Sequence, residues 1–164
     1  MRRVITAALI ASALSMALIG PALAGKPAIE TFVEHESFDL DCGSFLIHEV
    51  ATVTIRQILW FDANGNPVRA NEQIVYDGVI TEPGGIGSFA DRATFTNFID
   101  IAPGDVLTIR QVGLVYNIHV PGQGLIGHDV GSITFFPDGS VDYSGPHDVF
   151  ENGFEPLICG LFED

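Results

Sequence analysis

Residues 48–81 read HEVATVTIRQILWFDANGNPVRANEQIVYDGVIT, and this stretch decides the fold class. Two runs rich in Val, Ile and Thr flank residues 62–67, whose sequence DANGNP combines the residue types that favour tight turns. Extended apolar runs on both sides of such a turn are typical of a β-hairpin. The stretch therefore predicts two antiparallel strands joined by a short loop.

The same pattern of strand-forming runs separated by turn residues recurs along the chain. Runs of β-forming residues separated by Gly, Pro, Asn and Asp clusters predict strands at 31–41, 48–61, 68–81, 88–101, 105–120, 125–136 and 141–145. Short connections make successive strands antiparallel neighbours, and strands of more than ten residues suit a barrel. We expect an all-β fold, an antiparallel up-and-down β-barrel of about eight strands. Residues 25–164 form its single domain, and the segment after residue 145 closes one end.

Side-chain alternation assigns one face of each strand to the interior. The predicted inward residues are Ala51, Val53, Ile55, Leu59 and Phe61 with Gln57, then Phe89, Ala93, Phe95 and Ile99 with Asn97, and then Leu107, Ile109 and Val115 with Gln111, Gly113, Asn117 and His119. Four amides would then point into an apolar interior, where polar groups need partners. They would bond to one another, to water or to a ligand. A fully packed interior, with the amides paired across strands, is the alternative.

The N-terminus resembles a cleavable secretory signal. Arg2 and Arg3 precede an apolar run that ends at Gly20 and Pro21, and residues 22–24 read ALA, a small-residue cleavage site. We interpret residues 1–24 as a signal peptide and expect a secreted, extracytoplasmic protein. An uncleaved membrane anchor is the alternative.

Charge narrows the choice of partners. The chain contains 7 Lys and Arg against 21 Asp and Glu, a formal net charge of −14, and loss of the leader would remove two of the arginines. Such a surface repels phosphate backbones and anionic lipid. We therefore expect no nucleic-acid partner and no membrane association after removal of the signal. The sequence leaves the oligomeric state open.

Cys42 and Cys159 are the two cysteines of the chain. An exported protein encounters an oxidising compartment, where such a pair usually forms a disulfide. We predict a bridge that joins the two ends of the domain. Free thiols and an intermolecular link are the alternatives.

Signatures of catalysis are missing from the sequence. The five histidines form no H-x-H or H-x-x-x-H pair, and neither a G-x-S-x-G motif nor a complete phosphate loop occurs. We predict no metal site and no cofactor. The sequence identifies no catalytic residue, and a non-enzymatic role is favoured.

One C-terminal pattern resembles a known group of proteins. Residues 127–135 read GHDVGSITF and are followed by Pro137-Asp138-Gly139, by Gly145-Pro146-His147 and by Cys159. This pattern resembles small exported β-rich proteins that are common in actinobacteria. At the level of the fold, the strand meander is similar to the barrels of allene oxide cyclase, dirigent proteins and lipocalins. The resemblance brings no catalytic residues, and fold alone does not fix function.

Amides on an apolar face favour a binding role. Our leading hypothesis is a non-enzymatic protein that binds a small, mostly apolar ligand in the interior, with walls formed by Gln57, Phe89, Phe95, Asn97 and Gln111. A cofactor-free cyclase or isomerase of the allene-oxide-cyclase type is the second hypothesis. An acidic protein-interaction module with a packed core is the third.

Overall fold

The computed structural model describes residues 26–82, 84, 87–104 and 106–162, so the predicted signal peptide lies outside the described residues. The elements in chain order are β1 (Ala28–Asp41), β2 (Leu46–Phe61), β3 (Pro67–Thr81), β4 (Ser88–Ala102), β5 (Val106–Val120), β6 (Gly124–Phe135), β7 (Val141–Ser144), α1 (Asp148–Asn152) and α2 (Phe154–Cys159). The seven strands form one antiparallel sheet in sequence order. The all-β, antiparallel prediction is confirmed, and the strand ends agree with it to within three residues.

The sheet does not close into the expected eight-stranded barrel. In the described part of the chain, β1 and β7 form the two edges and do not pair with each other. The reason lies at the C-terminus. Strand β7 has only four residues, and the chain then forms two short helices where an eighth strand would be needed.

The β2–β3 hairpin shows how turn chemistry sets the register. One carboxylate oxygen of Asp62 accepts the backbone N–H groups of Asn64 and Asn66, each at 2.8 Å. Gly65 adopts a φ of 85°, a left-handed conformation that costs glycine little. These bonds fix the loop between the strands, so that Ile55 lies opposite Ile74.

Alternation assigned the faces of β2 correctly. Ala51, Val53 and Ile55 are each 5–6% exposed, and they share what we call the inner face. Arg56 and Arg110 lie on the outer face, where Arg56 donates to Gln73 and Arg110 packs over the ring of Phe98. The sheet therefore buries one face and leaves its arginines on the other.

Strand β5 departs from simple alternation. Its register with β6 shifts between Leu114 and Tyr116, which inserts one extra residue, a β-bulge. The inner face carries Gln111 before the shift and Ile118 after it, since Gln111 pairs with Asn97 and Ile118 with Asp91. Our inward assignment was therefore right for the first half of the strand. It was wrong after the bulge, where Asn117 and His119 lie on the outer face. Val115 is the extra residue and has no opposite residue on β4 or β6.

The helices cover one end of the inner face. Cys42, just after β1, is bonded to Cys159 at the end of α2, as predicted, with a Cα–Cα distance of 5.4 Å. Between the helices and the sheet lies an apolar cluster, to which the helices contribute Val149 and Ile158 and the strands contribute Ile47, Ile80, Phe89, Ile118 and Val120. A second cluster further along the sheet contains Val53, Ile55 and Ile74, with Phe32, Tyr76 and Phe95 packed against it.

In the described residues, no helix has both the length and the apolar character that a membrane crossing requires.

Candidate functional site

The strand register arranges inner-face side chains in rows that run across the sheet. One of these rows, which we call the amide row, joins five polar residues of neighbouring strands, listed in order from β1 to β5: Glu30, Gln57, Glu72, Asn97 and Gln111. Three of our predicted wall residues belong to it. The four inward amides were expected to bond to one another, to water or to a ligand. Gln57, Asn97 and Gln111 share this row, whereas Asn117 lies outside it.

Glu72 is the centre of the amide row. Its Oε1 accepts a hydrogen bond from Nε2 of Gln57 at 3.0 Å, and its Oε2 accepts one from Nδ2 of Asn97 at 3.1 Å. All three side chains are at least 93% buried. The Oδ1 atom of Asn97 is buried without a hydrogen-bond partner among the described residues. Three members of the row are thus joined by hydrogen bonds, and Asn97 keeps one buried acceptor without a partner among the described residues.

Apolar rows lie on both sides of the amide row. Toward the helices, the neighbouring row contains Phe32, Ile55, Ile74 and Phe95, which face Gly113 on β5. β4 and β5 approach closely at Gly113, because a Cβ at this position would lie 2.7 Å from the carbonyl oxygen of Thr94 and 2.9 Å from Cα of Phe95. On the far side, Leu59, Ile99 and Ile109 are only half-buried. The amide row therefore lies between a packed apolar row and a partly open one.

The predicted wall residues do not all come together. Gln57, Asn97 and Gln111 share the amide row, and Phe95 belongs to the next row. Phe89 lies eight residues from Asn97 along β4, about 26 Å in an extended strand. Its ring stacks on Phe162 beneath the helical cover, with centroids 6.2 Å apart. Phe89 thus belongs to the covered end rather than to the amide row.

A second polar group, which we call the acid–tyrosine group, lies nearer the helices. It consists of Glu49, Tyr76, Asp91 and Tyr116. Tyr76 donates its hydroxyl to Oε1 of Glu49 at 2.7 Å. Glu49 and Asp91 are each 2% exposed, and one oxygen of each has no partner within the described residues.

Burial changes the acidity of this group. Loss of hydration raises the pKa of Glu49 to about 7, against the opposing effect of the Tyr76 hydrogen bond. Burial also raises the pKa of Asp91 to about 6. The pKa of Tyr76 and that of Tyr116 are raised, chiefly by burial. Two carboxyl groups therefore titrate near neutral pH within the sheet interior.

Gly78 makes space for the acid–tyrosine group. It lies between Ala51 on β2 and Asp91 on β4 in the register. A Cβ at this position would lie 2.5 Å from Oε1 of Glu49 and 2.7 Å from Cε1 of Tyr76. The two side chains can therefore meet over β3 because residue 78 has no side chain.

Sequence reasoning missed Glu49, Glu72 and Asp91. The signal was available, because each acid occupies an inner-face position of its strand. Glu49 lies between Ile47 and Ala51, Glu72 between Ala70 and Ile74, and Asp91 between Phe89 and Ala93 in the alternation. An acid at an inward strand position is therefore as good a candidate site residue as an amide.

The C-terminal pattern that suggested a resemblance has a structural role. Asp129, in the first segment of the pattern, forms an isolated antiparallel β-bridge with His147, in the Gly145-Pro146-His147 segment. Its carboxylate accepts the backbone N–H groups of Val149 and Phe150 at 2.8 and 3.0 Å, at the start of α1. Gly131 and Gly145 have positive φ angles and allow β6 and the returning chain to approach closely. The pattern therefore anchors the helical cover to the sheet.

A groove of about 410 Å³ lies over β1, β2 and β3. Most of its lining comes from the outer face, including His35, Val50, Asp77 and Val79. Trp60 is also an outer-face residue, with the guanidinium of Arg69 4.7 Å from its ring centroid. Among the described side chains, no group of three or more His, Cys, Asp or Glu residues is arranged to hold a metal ion.

Comparison with known protein families, with curated proteins and with solved structures finds no match to this chain.

Proposed function

We propose that the protein is a non-enzymatic binder of a small, mostly apolar molecule, which the inner face holds with its polar group at the amide row. The observation that carries this proposal is the buried Oδ1 of Asn97, which has no partner among the described residues. A buried polar atom without a partner is costly, and a ligand would remove that cost. The flanking apolar rows offer contact area for the rest of the ligand.

Entry is proposed at the end of the sheet that the helices leave uncovered. The cluster beneath the helices contains Ile47, Phe89 and Ile118, none of which belongs to the amide row. Leu59 and Ile99, on the other side of that row, are half-buried and border the loops. A ligand that covered these side chains would remove apolar surface from water, worth roughly 25 cal/mol per Å².

Calorimetry with a panel of terpenoids and fatty alcohols tests the proposal. We expect binding by the wild type and an affinity about tenfold weaker in Gln111→Ala, since this half-buried amide belongs to the row. Gln73→Ala is the matched control, because Gln73 is an outer-face amide that bonds Arg56. A panel without any binder, or equal losses in the two variants, would refute the proposal. Trp60 fluorescence is unsuited as the readout, because this ring lies on the outer face.

A second candidate function is a cofactor-free cyclase or isomerase of the allene-oxide-cyclase type. The observation that favours it is the 2.7 Å hydrogen bond from Tyr76 to Glu49, whose raised pKa of about 7 suits general acid–base catalysis. Incubation with an unsaturated epoxide should then give a cyclised product with an excess of one enantiomer. Glu49→Gln should abolish that excess. A product of equal enantiomers from the wild type would rule out this candidate.

A further inference from the structure

We propose that the ligand at the amide row carries a protonated amine, which Glu72 and Asn97 hold together. This inference rests on the proposed binding function and specifies its ligand class, an amine with an apolar body. The recognising atoms would be the carboxylate of Glu72 and the Oδ1 of Asn97. Gln57 and Gln111 would border the bound ammonium group.

The missing partner of the row has to be a hydrogen-bond donor. Gln57 and Asn97 both use their amide nitrogens on Glu72, at 3.0 and 3.1 Å. What remains at Asn97 is an acceptor, Oδ1, on a residue that is 3% exposed. An ammonium or hydroxyl group could satisfy this atom, whereas a carboxylate or carbonyl could not.

Charge favours the ammonium over the hydroxyl. Glu72 is 7% exposed, and the two side-chain hydrogen bonds that it accepts come from neutral amides. Glu30 lies opposite Gln57 and brings a second, half-buried carboxyl group to the same row. Buried carboxylates are stabilised when a cation pairs with them.

The protein does not supply that cation from its strands. Within the described strands, every arginine occupies an outer-face position and has a partner there. Arg56 bonds Gln73 and Arg92 bonds Asp77, while the other two pack over aromatic rings, Arg69 over Trp60 and Arg110 over Phe98. A metal ion is a poor alternative, since no described acid or histidine cluster could coordinate one. The net charge of −14 would also attract a cationic ligand from solution.

The apolar surroundings specify the rest of the ligand. Ile55, Ile74 and Phe95 line one side of the row, and half-buried Leu59 and Ile99 line the other. A fully polar polyamine would leave these side chains without an apolar partner. An alkylamine would place its chain against them and its nitrogen beside Glu72.

A pair of probes with the same chain length tests the inference in calorimetry. Octylamine and 1-octanol differ only in the terminal group, and octylamine is protonated at pH 7. We expect the mature protein to bind octylamine at least about tenfold more tightly than octanol, and Glu72→Gln to abolish the difference. Glu34→Gln is the matched control, because it removes one carboxyl group from the inner face outside the amide row and should preserve the preference.

The outcomes separate this inference from the proposed function. If both probes bind equally to the wild type and Gln111→Ala weakens both, the row binds apolar ligands and the amine inference is wrong. If neither probe binds although the panel of terpenoids and fatty alcohols contains a binder, the amine inference alone is wrong. If that panel contains no binder either, both proposals are wrong. A preference for octylamine that persists in Glu72→Gln would also overturn the assignment. Should Glu72→Gln fail to fold, the wild-type ratio of the two affinities and its decrease with added salt decide the question.

Discussion

Tyr76 on β3 donates its hydroxyl hydrogen to Oε1 of Glu49 on β2 at 2.7 Å, in a part of the sheet where Glu49 is 2% exposed. One hydrogen bond does not replace the hydration of a carboxylate. The net effect is a pKa of about 7 for Glu49, raised from 4.5 chiefly by burial. Glu49 is therefore protonated in the folded protein below about pH 7, and the stability of the protein should depend on pH.

The first prediction concerns Glu49→Gln. A carboxyl group whose pKa is raised on folding stabilises the folded state below its unfolded pKa, here 4.5, and this contribution is lost as the pH rises through about 7. We expect the wild type to lose roughly 3 kcal/mol of stability through this group between pH 4.5 and 7.5. Glu49→Gln should lack that loss, as measured by chemical denaturation at several pH values.

Asp91 titrates in the same direction, with a pKa of about 6, so the wild type and the variant should both retain some pH dependence. The difference between the two profiles isolates Glu49. Asp100→Asn, at an exposed position, is the control and should run parallel to the wild type. Parallel profiles for Glu49→Gln and the wild type would contradict a raised pKa at Glu49.

The second prediction concerns Tyr76→Phe. The tyrosine hydrogen bond lowers the pKa of Glu49 by stabilising its charged form, although burial has the larger, opposite effect. Removal of the hydroxyl should therefore move the pKa of Glu49 above 7, as followed by the carboxyl ¹³C shift in an NMR titration. Tyr143→Phe, at an exposed position on β7, should leave it unchanged. A pKa that falls in Tyr76→Phe would show that the hydroxyl does not stabilise the carboxylate.

Most of the fold could be predicted because alternation and turn chemistry are local signals. Residues 62–67 set the β2–β3 hairpin through bonds of Asp62 to its own loop, and such bonds require no distant partner. Closure of the sheet is different. Closure requires the first strand to pair with the last, and no local sequence pattern encodes that pairing. Here β7 is short and is followed by helices, so β1 and β7 remain unpaired edge strands among the described residues.

The candidate site was predictable only in part for a similar reason. Gln57, Asn97 and Gln111 stood out because amides are conspicuous on apolar faces, and the register did bring them together. Their hub, Glu72, was missed because 21 acids in the chain make one more carboxylate inconspicuous. Gly113, a glycine inside a strand, was a local sign of a bulge or kink close to Val115. Its effect on the faces was missed, because the extra residue turns Asn117 and His119 to the outer face.

The third prediction concerns Asp129, whose carboxylate holds the start of α1. Asp129→Ala would leave the N–H groups of Val149 and Phe150 without their acceptor at a fully buried position. We expect a loss of about 2–4 kcal/mol in the free energy of unfolding, measured with denaturant. Asp129→Asn keeps one acceptor oxygen and should lose less. Asp138→Ala is the control, because it removes a comparable backbone hydrogen bond from an exposed turn, and it should cost about 1 kcal/mol or less. If Asp129→Ala lost no more stability than Asp138→Ala, the helical cover would not depend on Asp129.

The fourth prediction concerns the Cys42–Cys159 bridge, which spans 117 residues. A disulfide that closes a long loop lowers the conformational entropy of the unfolded chain and so stabilises the folded state. By the chain-entropy model, the double variant Cys42→Ser, Cys159→Ser should have a free energy of unfolding about 4–5 kcal/mol lower. Because Cys159 ends α2, amide hydrogen exchange should increase first in the helical cover and much less in β3. A reductant should destabilise the wild type similarly and leave the double variant unaffected. Two titratable thiols in the protein under oxidising conditions would contradict the bridge. Uniform exchange across the sheet would contradict its role in holding the cover.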